Sequence, residues 1–155
     1  MSETYPLSDA LTARFSMPML FAGQAEKELT HNEALVVIDA LLAASVEGVA
    51  GDPDALTPQA GQCWLIGAGA SGAWAGMADA IALWTGSGWR CIVPQQGQQL
   101  FGNDIGARYV FGASGWHASA TLSSPSGGSV IDVEARATID AIAQLLALHG
   151  LAIAT

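Results

Sequence analysis

An α+β fold is the expectation for this chain, on three observations. Apolar residues recur at helical spacing over residues 24–44 and again from Asp132 to His149. Between these stretches, over about 62–121, the apolar period shortens to two, and short glycine-rich links separate the period-two runs. The architecture expected is an N-terminal helix, a small antiparallel β-meander of about five or six short strands rich in Trp and Gly, and a C-terminal helix after a Gly/Ser linker.

The elements follow in order. Residues 1–16 are mixed and aperiodic and read as an N-terminal arm, either frayed or reaching a neighbouring subunit. An α+β domain is expected over 17–122. Its helix, about 24–44, contains Thr30 and Glu33 at the spacing of a capping box, so the helix is expected to start at Asn32 or to bend there. Leu35, Ile38, Leu41 and Leu42 fall on one face. Residues 46–49 look extended, and GDPDALTPQAG, residues 51–61, is a loop punctuated by Pro53, Pro58 and Gly61. Strands are expected at 63–66, 80–84, 89–93, 98–101, 108–111 and 116–121, with TGSG at 85–88 as a tight hairpin turn. SSPSGGS, residues 123–129, has the composition of a flexible linker. Residues 130–155 then carry a helix with acidic Asp132 and Glu134 at its start and Gly150 as its stop.

In the last helix, Ala135, Ile139, Ile142 and Leu146 are spaced 4, 3 and 4, a heptad seam with isoleucine at its centre. Such a helix either docks on its own domain or bundles with copies of itself. We take these four residues as candidate oligomerisation positions, a trimer being favoured and a pentamer the alternative.

Composition excludes several functions. With five Lys and Arg against 14 Asp and Glu, the net charge is −9, and direct nucleic-acid binding is not expected. Only 12% of residues are charged, so apolar or small-residue surface is expected to be covered by a partner. No apolar run reaches the roughly 18 residues of a spanning helix, and MSETYPLSDALTARF lacks the pattern of a secretory signal, so no membrane insertion and no export signal are expected. Cys63 and Cys91 fall in expected strands of one sheet, where a bridge is feasible; the expected state is two small buried thiols.

GAGASG, residues 67–72, literally contains GxGxxG. However, no clean helix follows it, no acidic residue accompanies it near position 90, and the GK[ST] ending of a P-loop is missing. The glycines are better read as turns. His31, His117 and His149 lie in different elements, HExxH and CxxC are absent, and nothing marks a nucleophile elbow. No catalytic residue, cofactor or metal is expected, and the protein is not expected to be an enzyme. Five tryptophans remain. Trp64 and Trp84 sit in apolar strands and read as core. Trp74, Trp89 and Trp116 adjoin glycines and are the candidates for exposure and glycan contact, against the alternative that they too are core.

Four stretches carry a resemblance. They are FSMPMLFAGQAEKELTHNEALVVIDAL; GQCWLIGAGASGAWAG with its preceding prolines; AIALWTGSGWRCIVPQQG; and EARATIDAIAQLLALHGL. Together they resemble an uncharacterised domain of alphaproteobacterial prophages and gene transfer agents, found in fibre and spike proteins of the virion. The resemblance spans roughly residues 15–101 and 130–151. It implies a structural role in a phage-like particle, made in the bacterial cytoplasm, with other head or tail proteins as partners and host polysaccharide as a further candidate partner. The chain stops at Thr155 without a long shaft or separate receptor-binding domain, which favours a base, adaptor or minor spike.

Overall fold

A computed structural model describes residues 11–20 and 27–154. Residues 1–10 of the expected arm and 24–26 of the expected helix lie outside the described residues. The chain forms two compact units. One takes in the described residues up to Ala44 together with Val49–Val93; the other contains Ser45–Gly48 and Pro94 onward. The α+β expectation holds: two helices accompany a β region that is mostly antiparallel.

In the first unit, helix α1 spans Lys27–Leu42. It runs through the THNE box without a break, so Thr30 is interior and caps nothing. Asn32 has another task. Its side chain pairs with Leu20 like a neighbouring strand, accepting from the Leu20 N–H at 2.9 Å and donating to the Leu20 carbonyl at 3.0 Å. The buried face also differs from the expected one. Asp39 and Ala40 are buried; of the expected stripe Leu35 and Leu41 are half-buried, as is Val36, whereas Ile38 and Leu42 are exposed. The helix is rotated by a polar anchor, the Asp39 carboxylate, which outranks the leucine stripe.

The sheet of this unit has the order β2-β3-β4-β5, with β2 Val49–Ala50, β3 Cys63–Ile66, β4 Ile81–Trp84 and β5 Trp89–Ile92. β2 lies parallel to β3, and the other pairs are antiparallel. The expected TGSG turn closes β4 and β5 on the pair Trp84 and Trp89. The Thr85 N–H donates to the Gly88 carbonyl at 3.0 Å, and Gly86 takes a φ of +89° that side chains disfavour. Cys63, Leu83 and Arg90 form one cross-strand row and Trp64, Ala82 and Cys91 the next. Adjacent residues of a strand point to opposite faces, so the two cysteines lie on opposite faces of one sheet. They are not bridged, and their placement forbids a bridge within the chain. Burial raises the pKa of the Cys91 thiol.

In the second unit the sheet order is β1-β6-β7-β8, with β1 Ser45–Val46, β6 Gln99–Gly102, β7 Ala107–Gly112 and β8 Gly115–Ala118. The stretch expected to be extended at 46–49 is thus split by Glu47 and Gly48 into two two-residue strands, one for each sheet. A separate parallel pair joins β9, Thr121–Leu122, to β10, Ile153–Ala154. Helix α2 spans Val133–Leu148.

Gly102 is the most closely approached glycine of this sheet. A Cβ there would collide with Cε2 of Tyr109 and lie 2.8 Å from Oδ1 of Asp104. The Tyr109 ring fills that space and its hydroxyl donates to Asp104 Oδ2 at 2.9 Å. Burial, with the Asp104 hydrogen bond and charge added to it, pushes the Tyr109 pKa up to about 12. In the unfolded chain a tyrosine titrates near ~10. Between those values the folded state holds a proton that the unfolded state has lost. The associated stability is therefore complete below about pH 10 and disappears as pH rises toward about 12. We expect Gly102→Ala to cost about 1–3 kcal/mol, the range for forced overpacking, and to bring the tyrosine titration back toward its ordinary value. A near-ultraviolet absorbance titration checks this, with Tyr109→Phe removing the late-titrating component.

Candidate functional site

The features with functional potential are the outward face of α2, the tryptophans, and a buried carboxylate that locks the first unit. Helix α2 is bounded as its sequence demands. The side chain of Asp132 accepts from the Ala135 N–H at 2.8 Å, capping the first turn. At the other end Gly150 takes a φ of +66°; its N–H bonds to the Ala147 carbonyl, and the Leu151 N–H bonds to that of Leu146. This is the paired Schellman closure. The Gly150 carbonyl receives the Arg108 N–H at 2.9 Å and the Ser119 hydroxyl at 3.1 Å, which fastens the C-terminal end of α2 to its own unit. The Gly/Ser linker is likewise held, because the guanidinium of Arg136 donates to the carbonyls of Pro125, at 3.1 Å, and Gly127.

No residue of α2 is buried. Its half-buried line is Arg136, Asp140, Ala143 and Ala147, joined by Leu146. Two of these are charged. The apolar side faces outward instead: Ile139 is 49% exposed, Ile142 53% and Leu145 55%. This departs from the usual amphipathic arrangement, in which the apolar stripe faces the parent core: the larger apolar side chains lie mostly outside, and Ala143, Leu146 and Ala147 share the inner side with two charged residues. Of the four expected oligomerisation residues, Ala135, Ile139 and Ile142 are exposed and Leu146 is partly covered by its own unit. Leu145 and Leu148, which the heptad spacing omits, belong to the exposed surface.

The tryptophans divide differently from their glycine contexts. Trp89 is the centre of an indole cluster, edge-to-face with Trp74 at 4.8 Å, Trp84 at 5.0 Å and Trp64 at 5.6 Å between ring centroids. Trp74, expected as an exposed glycan contact, has 0% exposure and no route to a ligand in solution. The reason is local. GAW at 72–74 forms a single turn of 3-10 helix, opened by Gly72 at φ +57°, and this turn folds the indole inward onto Ile66, Ala80 and Ala82. Its indole N–H is buried and finds no hydrogen-bond partner among the described residues. Trp89 and Trp116 are both half-buried, the latter packed on Phe111 at 5.1 Å. No long helix follows GAGASG. Its backbone is instead held to the neighbouring loop, Gly67 N–H to the Ala50 carbonyl and Ser71 N–H to that of Gly51, both at 2.9 Å. These glycines are turn residues.

Sequence reasoning missed the buried carboxylate of Asp39, which is 3% exposed. It accepts from the Thr12 hydroxyl at 2.8 Å and from the backbone N–H groups of Arg14 and Phe15 at 2.7 Å each. Arg14 completes the lock by donating through Nε to the Gly61 carbonyl at 2.7 Å and through its guanidinium to Ala40 and Ala43. Residues 11–16 of the expected arm are therefore fastened to α1. The only sequence signal was an acid on the helix face that also carries Val36 and Ala40. Among the described residues, no three His, Cys, Asp or Glu side chains come together as a metal site, and no helix is long and apolar enough to cross a membrane.

A family model described as a protein of unknown function, DUF2793, matches residues 31–117. That region is more than half of the chain, running from within α1 into β8 and ending before α2. No curated protein matches. The chain belongs to the DUF2793 family.

Proposed function

We propose that this protein is a structural component of a phage-like particle, a prophage or gene transfer agent. In this reading it forms a homo-oligomer through the outward face of α2 and serves as the base or adaptor of a spike or fibre that helps the particle attach to its host. The observation that carries the assembly step is the inverted helix. An apolar stripe of Ile139, Ile142 and Leu145 faces solvent while Arg136 and Asp140 face the parent unit. Exposed apolar surface of this kind is retained where a partner covers it. The resemblance of the QAEKELTHNEAL, GAWAG and GSGW stretches to virion spike and fibre proteins supports the particle context. A symmetric trimer is the favoured assembly and a pentameric ring the alternative.

The test is to purify particles from the producing bacterium and identify their proteins by mass spectrometry. The protein is expected as a stoichiometric component, present in several copies at one symmetric position in a cryo-EM map. Its absence from intact, infective particles would overturn the reading. A glycan module built on the tryptophans has less support, because Trp74 is sealed in the core and Trp89 is surrounded by three other indoles.

A further inference from the structure

We infer that the groove between α1 and the β4–β5 hairpin is a binding site for a neutral saccharide, of mono- or disaccharide size. The cavity measures about 370 Å³ and lies wholly within the first unit. That volume is inside the ~300–1,000 Å³ span of small-ligand sites. Its walls combine apolar and charged groups: Leu29, Glu33 and Val36 from the helix, Ser87, Trp89 and Arg90 from the hairpin.

The ligand class follows from the charges. Glu33 and Arg90 face each other across the groove at 3.8 Å, with 65% and 51% of their side chains exposed. An ion pair so open and so long holds its partners weakly. Both heads can thus turn to a ligand while remaining close enough to compensate each other. A carboxylate accepts from hydroxyl groups and a guanidinium donates to them, so the pair together matches a polyol whose hydroxyls do both. The apolar residues supply surface for the C–H face of a sugar ring. An anionic ligand would have to compete with Glu33 for Arg90 on a chain of net charge −9. A cationic one would have to displace Arg90. A neutral polyol leaves the pair intact. The other polar lining side chains are engaged locally, Asn32 with Leu20, Thr85 with Gly88 and Ser87 with Thr85, which leaves Glu33 and Arg90 to set the specificity.

The site is independent of α2 assembly, and of the five tryptophans only Trp89 lines it. It is tested on the full chain by NMR titration with three neutral disaccharides (lactose, maltose and diacetylchitobiose) and with glucuronate as the anionic arm. Saturable shifts are expected at residues 29–36 and 85–90 with at least one neutral sugar. Arg90→Ala and Glu33→Gln should each weaken that binding about tenfold, the loss of one hydrogen bond to a charged group, with unchanged thermal melts because both side chains are exposed. No saturable shift with any neutral sugar, tighter binding of glucuronate, or undiminished affinity in both variants would overturn the proposal. None of those outcomes bears on the assembly of α2.

Discussion

Asp39→Ala is expected to destabilise the protein by about 3–5 kcal/mol. The substitution leaves the Thr12 hydroxyl without its acceptor in a buried site and the N–H groups of Arg14 and Phe15 without theirs in a part-buried one; an orphaned buried donor costs about 1–3 kcal/mol, and the two part-buried ones add less. At about 2–4 °C per kcal/mol for a chain of this size, the melting temperature should fall by roughly 6–20 °C. Asp39→Asn keeps the shape and one acceptor and should recover part of the loss. Leu42→Ala on the same helix removes an exposed side chain and should change stability by less than about 0.5 kcal/mol. Thermal melts of the three variants check the ordering. Equal losses for Asp39→Ala and Leu42→Ala would mean that the carboxylate does not anchor the helix.

The second large effect concerns assembly. The double variant Ile139→Glu, Ile142→Glu puts two carboxylates on the outward stripe of α2. In a single chain these positions are about half exposed, and glutamate is as good a helix former as isoleucine, so the fold should be little affected. Where copies meet along that stripe, the same carboxylates are buried together and repel. The variant is therefore expected to be monomeric at concentrations where the native chain is assembled, with its circular dichroism unchanged. Arg136→Ala would act differently, since it releases the linker carbonyls of Pro125 and Gly127 and loosens the attachment of α2 without altering the stripe.

Much of the architecture was legible. The strands at 63–66, 81–84, 89–92, 99–102 and 107–112 fall within a residue or two of their expected bounds, because alternation and glycine turns are local signals. The ends of α2 were legible for the same reason: an aspartate cap and a glycine stop act over one turn. The split into two sheets was not, because it depends on β1 and β2, two-residue strands paired in parallel with partners distant in sequence. Such short strands carry no periodic signature. The orientation of α1 was misread because a carboxylate on a helix ordinarily faces water, and only the donors contributed by residues 12–15 make Asp39 an interior residue. Trp74 shows a similar limit. A neighbouring glycine marks a turn, but whether the turn points its side chain outward or inward is decided by what lies beneath it, here Ile66, Ala80 and Ala82.

The heptad in α2 gave the position of the apolar stripe but not its direction. Spacing alone allows Ala135, Ile139, Ile142 and Leu146 to dock on the parent unit or to face a partner. The structure places Arg136 and Asp140 on the inner side and leaves Ile139 and Ile142 outside. The most direct test of the assembly reading is sedimentation equilibrium of the full chain at micromolar concentration. A mass of three chains is expected, with five the alternative, falling to one chain in the Ile139→Glu, Ile142→Glu variant; a native protein that sediments as a single chain at every concentration would contradict it.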